Sequence, residues 1–247
     1  MTSEPGARDG LFCSIVLPCY NEAGNLPGLL AGFAAGIAPD MELVLVDNAS
    51  SDGTADLLRR EAPRFPFARV VTLQVNRGYG AGILAGLSAA RGAVAGWAHG
   101  DLQYAPADIL AAAESLRPFS GKKVFLKGLR ANRGAADVFF TSGMALFASL
   151  ALGLPLRDIN AQPTFFSREL FEGWAEPPAD FSLDLFAYAD ALRRGYRLLR
   201  RPVRLAPRPH GSSSWNRGLA DRLRLSWRMT GAVLGTRARL RAGRAGA

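Results

Sequence analysis

The stretch Trp97-Ala98-His99-Gly100-Asp101-Leu102-Gln103-Tyr104 sets an imidazole, a carboxylate and an amide at every second residue. In extended backbone that spacing puts the three on one side. Asp101 and Gln103 are then two oxygen ligands suited to Mg²⁺ or Mn²⁺ bridging a diphosphate, and His99 can join them. Capping or solvation is the competing role for a single Asp in a turn. Pro18-Cys19-Tyr20-Asn21-Glu22 offers an aromatic ring for a flat base and a carboxylate for ribose hydroxyls, or else a helix cap. In Asp47-Asn48-Ala49-Ser50-Ser51-Asp52-Gly53-Thr54 the leading Asp47 and Asn48 suit a nucleoside, whereas Ser51 and Asp52 suit the start of the next helix. Asn76-Arg77-Gly78-Tyr79-Gly80-Ala81-Gly82 brings glycines to a helix start, where backbone amides can approach an anion, though it is neither a P-loop nor a dinucleotide fingerprint.

Each cluster follows an apolar run that reads as a buried strand. Strands are predicted over Phe12–Pro18, Met41–Asp47, Arg69–Val75, Ala93–Ala98 and Lys123–Gly128. Helices are predicted over Leu26–Gly36, Gly53–Glu61, Gly80–Ala90 and Pro106–Leu116. This alternation predicts an α/β fold with a mainly parallel sheet flanked by helices. Ligands bind such sheets at the carboxyl ends of the strands, which is where all four clusters fall.

In order and spacing the clusters resemble the family 2 glycosyltransferases, nucleotide-sugar enzymes with a GT-A, Rossmann-like fold, over most of the chain from Phe12 to Asn216. PCYNE is similar to the family's Pro-x-Tyr-Asn-Glu, and VDNASSDGT to Val-Asp-Asp-x-Ser-x-Asp-Gly-Thr. NRGYGAG resembles Asn-x-Gly-x-Gly, and HGDLQ stands where the branch of dolichyl- and polyprenyl-phosphate sugar transferases has Asp-Ala-Asp-Leu-Gln. Gly128-Leu129-Arg130 is similar to that branch's Gly-Ser-Arg. The run from Arg208 to Trp215 resembles its Arg-x-x-Gly-x-Ser-Lys loop, and Asp158 to Leu170 its acceptor-facing segment.

The resemblance implies a metal-dependent, inverting transferase of hexosyl type, with Mg²⁺ or Mn²⁺ held by Asp101 and Gln103. A UDP- or GDP-linked sugar would lie against Pro18, Tyr20, Glu22, Asp47, Asn48, Gly78, His99, Gly100, Asp101, Arg130, Arg208 and Ser214. Asp101, Arg130 and Asp184 would be catalytic, Asp184 or Asp158 serving as base if the acceptor is a hydroxyl. A polyprenyl or other lipid phosphate acceptor needs no base. Three positions depart from the pattern: His99 and Asn48 stand where the family has Asp, and Ser214 where it has Lys. They motivate a competing reading, a catalytically impaired GT-A-like protein that binds nucleotide sugar or membrane.

The remaining composition separates a body from a tail. Among 247 residues, 30 Lys and Arg face 21 Asp and Glu, a net charge of +9. From Arg200 to Ala247 there are twelve Arg and one acid, a balance of +11, so residues 1–199 carry −2. We therefore read a GT-A domain over 1–215 and a basic amphipathic helix over 216–247, its apolar face formed by Leu219, Leu223, Trp227 and Leu234. Such a helix either packs on the domain or lies on an anionic membrane surface, and no nucleic-acid partner is expected. The uncharged run Val138–Leu156 reads as a buried core helix, with an interfacial helix as the alternative. Cys13 and Cys19, roughly 20 Å apart along one strand, are not expected to pair. From the polar N-terminus no secretory signal is expected, and the expected location is cytoplasmic, peripheral at the inner face of the membrane.

Overall fold

Strands β1 (Cys13–Cys19) and β2 (Met41–Asp47) are apolar nearly throughout because both faces of the sheet are covered. Cys13, Ile15, Leu17 and Cys19 of β1 join one core with Leu26, Leu29 and Phe33 of helix α1 (Leu26–Ala34). Val16 faces the opposite core with Val44, Val46 and residues of five later helices. A computed structural model gives these coordinates and describes residues 10–132, 135–210 and 219–245.

The chain continues through α2 (Thr54–Glu61), β3 (Ala68–Thr72), α3 (Tyr79–Ala89), β4 (Val94–Trp97), α4 (Pro106–Glu114) and β5 (Val124–Arg130). Then follow α5 (Ala135–Leu152), β6 (Thr164–Ser167), α6 (Glu169–Glu172), α7 (Leu183–Arg193), β7 (Arg197–Val203) and α8 (Leu219–Ala245). The seven strands form one sheet in the order β3-β2-β1-β4-β6-β5-β7. All pairings are parallel except those of β6, which runs antiparallel to β4 and to β5. The predicted third strand is shorter than expected, ending at Thr72.

The aromatic centre sits where β6 joins the two halves. Phe125 stacks between Phe166 and Tyr188 at 5.9 and 5.7 Å, and Trp97 meets Phe166 edge-on at 5.7 Å. Burying each ring contributes about 1.5–3 kcal/mol, and their pairing adds about 1 kcal/mol.

Helix α5 overturns the expectation of a buried core helix. Only small residues, Ala145 and Ala148, are buried among its described side chains, while Val138, Leu146, Phe147 and Leu150 are exposed, Leu150 at 76%. The absence of charge made the run look like core, yet its inward face is a narrow alanine stripe. Among the described residues no helix is long and apolar enough to cross a membrane.

Helix α8 packs on α5 and α7 through Met229, Ala232, Val233, Thr236 and Leu240. Leu234, assigned to the apolar face, is 58% exposed and so does not pack on the domain. Arg237, Arg239 and Arg241 are exposed along the same helix, and the side chains of Leu219, Leu223 and Trp227 lie outside those described. Cys13 and Cys19 are free and buried.

Candidate active site

The clusters following β1, β2 and β3 are tied together by their own side chains. Asn48 donates from Nδ2 to the Gly78 carbonyl at 3.0 Å and accepts from the Arg77 amide at 3.3 Å. It fastens the glycine-rich turn to the end of β2. Asp52 accepts from the Thr54 amide and, through its other oxygen, from the Ala23 amide at 3.1 Å. Its structural role therefore extends to holding the β1 turn. Asp47 is buried and accepts from the Ser50 amide at 3.1 Å. Tyr20 is 49% exposed, its ring open to a stacking partner, with Pro18 partly buried two residues before it.

Gly78 has φ +92°, a conformation that disfavours any other residue. Gly80 is needed for a different reason: a Cβ there would lie 2.4 Å from the Asp180 carbonyl oxygen. The Ala81 amide meanwhile donates to the Ala179 carbonyl. These glycines thus seat the turn against residues 179–180, a packing function in addition to the anion approach expected of them. Non-glycine residues also adopt positive φ around the site: Asn21, Ala49, Leu102 and Asp158, at 48–58°. Each follows the end of a strand or faces one, and such backbone conformations concentrate where side chains must be aimed.

Asp101 is buried beneath this rim. Its Oδ1 accepts from the Gln103 amide at 3.1 Å, and its Oδ2 takes a 2.6 Å ion pair with Arg208. Arg208 Nε also donates to Gln103 Oε1 at 3.1 Å. The carboxylate and the amide oxygen therefore converge on one cation. Glu22 stands nearby, its value raised mainly by burial and further by Asp101, with the Asn25 amide and Arg208 opposing.

His99, the third member of the predicted trio, does not join them. Its ring lies between Tyr79 and Tyr104, with centroids 5.6 and 6.1 Å away. Burial lowers its value against the pull of Asp101 and Asp184. Gly100 packs beneath it, facing Cys19.

Asp184 belongs to a buried cluster that the sequence reading missed. Lys127 Nζ donates to Asp184 Oδ1 at 2.6 Å and to Thr164 Oγ1 at 2.8 Å. Gln162 Nε2 donates to Oδ1 at 2.9 Å, and the Tyr79 hydroxyl to Oδ2 at 3.0 Å. Burial lowers the Lys127 ammonium while Asp184 holds it charged, and burial beside Asp184 raises the Tyr79 phenol. With three donors from three residues, the carboxylate is fixed in place. Lys127 was hidden in the text KKVFLKG, and its partner lies 57 residues away.

Arg130 donates from its side chain and its amide to Asp158, so two predicted residues pair with each other. A cavity of about 30 Å³ beside Arg130 is lined by Thr141 and Met144 of α5 and Met229 of α8. Ser214 lies outside the described residues.

The fit to a divalent cation follows from these contacts. A guanidinium already draws together one carboxylate oxygen and one amide oxygen, hard ligands of the kind Mg²⁺ and Mn²⁺ take. Among the described residues no cluster of three His, Cys, Asp or Glu side chains could hold a metal unaided. Asp101 and Gln103 thus suit a cation whose remaining ligands come from a diphosphate and water.

Residues 14–118 match the family described as Glycosyl transferase family 2. An undecaprenyl-phosphate 4-deoxy-4-formamido-L-arabinose transferase of Edwardsiella ictaluri is 40% identical over 103 residues, 40% of this chain and 31% of that protein. Its counterpart in Pseudomonas syringae pv. syringae is 41% identical over 105 residues, 40% of this chain and 30% of that one. The chain matches about a third of the length of these curated relatives. Among solved structures, the glucosyl-3-phosphoglycerate synthase of Mycobacterium tuberculosis with Mn²⁺, UDP and glucosyl-3-phosphoglycerate superposes with a TM-score of 0.69. It is 19% identical, over 93% of this chain and 81% of that one. A mannosyltransferase of Pyrobaculum calidifontis with GDP-Man and Mn²⁺ gives 0.62 at 19% identity, over 99% and 78%. Residues 14–118 thus resemble glycosyl transferase family 2, and the chain has the GT-A fold of these solved structures.

Proposed function

We propose that the chain transfers a sugar from a nucleoside-diphosphate donor to a polyprenyl phosphate at a membrane surface, with inversion. The observation that carries this reading is the convergence of Asp101 and Gln103 on one cation, at the same carboxyl edge of the sheet as the exposed Tyr20 and the buried Asp47. The base of the donor stacks on Tyr20, and Glu22 and Asp47 accept from the nucleoside. Asn48 and Gly78 shape the wall beside it.

Asp101 and Gln103 would hold Mg²⁺ or Mn²⁺, which supplies positive charge to the leaving diphosphate. Arg208 adds a second positive charge at the same place. An acceptor phosphate oxygen attacks the anomeric carbon from the face opposite the diphosphate. The bond from that carbon to the diphosphate oxygen breaks, and its electron pair leaves with the nucleoside diphosphate. The attacking oxygen is already anionic, so no side chain must take a proton. Asp184, held by Lys127, Gln162 and Tyr79, then positions the floor of the site.

Relatives that act on undecaprenyl phosphate support the acceptor class. So do the exposed apolar side chains Leu146, Phe147 and Leu150 on α5 and, on α8, the exposed Leu234 with Arg237, Arg239 and Arg241. Exposed apolar and basic side chains suit an anionic lipid surface, and Arg130 lines a small cavity with Thr141 and Met144 of α5 and Met229 of α8. The proposed location is peripheral, on the cytoplasmic leaflet.

Asp101→Asn tests the reading. Donor-dependent transfer is expected to fall about 10²–10³-fold, with circular dichroism unchanged. Full activity in that variant removes the metal-diphosphate assignment, and a lack of binding across UDP-, GDP-, CDP- and dTDP-sugars removes the transferase reading.

A further inference from the structure

Arg208 reaches Asp101 from a segment that belongs to no helix or strand. Beyond the end of β7 at Val203, this segment crosses the carboxyl ends of the strands, pinned at several points. The Leu205 amide donates to Asn132 Oδ1 at 2.8 Å, and Asn132 Nδ2 donates back to the Leu205 carbonyl at 2.9 Å. The Ala206 amide donates to the Gln103 carbonyl at 2.8 Å, and Gln103 Nε2 to the Ala206 carbonyl at 3.3 Å. Farther along, His210 lies over Gly24, where a Cβ would come within 3.0 Å of its ring. The strap therefore delivers the guanidinium to one place.

That place is the seat assigned above to a divalent cation. Asp101 Oδ2 and Gln103 Oε1 both receive the guanidinium, and Asp101 Oδ1 is engaged by the Gln103 amide. One buried carboxylate cannot neutralise two cations, so a free metal ion must displace Arg208 against its own charge. A diphosphate changes the balance by bringing its own negative oxygens, to which a guanidinium binds with two parallel hydrogen bonds.

We propose that Arg208 is a resident cation, excluding Mg²⁺ or Mn²⁺ from the donor-free site and passing to the donor's diphosphate when that binds. Building on the transferase reading, this makes metal entry dependent on the nucleotide. By linkage, nucleotide and metal tighten each other by the same factor.

The test is Mn²⁺ titration of the full chain, read as loss of the free-ion electron paramagnetic resonance signal, with Mn²⁺ alone and with added UDP or GDP. Arg208→Gln is expected to bind Mn²⁺ alone about tenfold more tightly than wild type, with a correspondingly smaller gain from nucleotide. Arg208→Lys, which keeps the charge without the fork, is expected to restore most of the exclusion. Equal Mn²⁺ affinity in wild type and Arg208→Gln without nucleotide overturns the role of Arg208. If all three proteins then take up Mn²⁺ with nucleotide, the transferase site survives that result. If none does, even with nucleotide bound, the metal assignment fails together with the resident cation.

Discussion

Two buried carboxylates, Glu42 and Asp101, sit at opposite ends of the same sheet, and each is paired with a partly exposed arginine. At the amino end, Glu42 accepts from the Ser14 hydroxyl at 2.6 Å, from the Arg91 amide at 2.8 Å and from the Arg91 side chain at 2.9 Å. Ser14 itself receives the amides of Arg91 and Gly92. At the carboxyl end, Asp101 holds one backbone amide of its own turn and a guanidinium borne on a strap. The chemistry of the pairs is similar; what differs is the carrier of the cation. Arg91 sits between α3 and β4 and cannot leave without dragging the sheet, whereas Arg208 is attached through a loop. A buried ion pair is a bolt in one setting and a replaceable contact in the other.

The largest expected effect that separates them is on stability. Glu42→Ala strands the Arg91 side chain and amide, and is expected to cost about 3–5 kcal/mol by urea unfolding. Asp101→Asn leaves Arg208 free to turn to solvent and is expected to cost about 1 kcal/mol or less. Equal losses would erase the distinction. Lys127→Met probes a third pair, leaving Asp184 buried without its ammonium, and should approach the Glu42 result because both partners lie on regular elements.

A pH series gives the next effect. Burial raises Glu42, but Ser14 and Arg91 outweigh it and hold the carboxyl below its usual value. Its stabilisation is therefore complete above the unfolded carboxylate value of about 4.3, and is lost as pH falls through the lower folded value. The stability difference between wild type and Glu42→Gln should shrink over that acid window; a constant difference would mean that the charge contributes nothing. The smallest effect is expected on the outer face: Leu150→Ser should change stability by about 0.5 kcal/mol or less and lower flotation with anionic liposomes. Unchanged flotation would detach α5 from the lipid surface.

The two ends also differ in how legible they were. Turns after β1, β2, β3 and β4 carry local text, because a turn needs particular residues within a few positions, and Tyr20, Asp47 and Asp101 stand where that text placed them. Pairings across long separations left no such trace. Nothing local to Lys127 points to Asp184, and Arg208 meets Asp101 from 107 positions away. β6 was missed as an antiparallel element since Thr164–Ser167 is too short to show alternation. The outer face of α5 was misjudged because lack of charge was taken for burial, although a run of alanines packs only on its narrow side.

That four-residue strand carries more than its length suggests. β6 is hydrogen-bonded to β4 on one side and β5 on the other, so it is the seam joining the β1–β4 half to the β5–β7 half. Gly96 permits the joint: a Cβ there would meet the Thr164 carbonyl at 2.1 Å. Asp101 hangs from one half of the sheet, while Lys127 and the strap that carries Arg208 hang from the other. Any shear along the seam would thus register first as a mismatch between the two halves of the site, so that the narrowest joint in the sheet sets how accurately Asp101 and Arg208 meet.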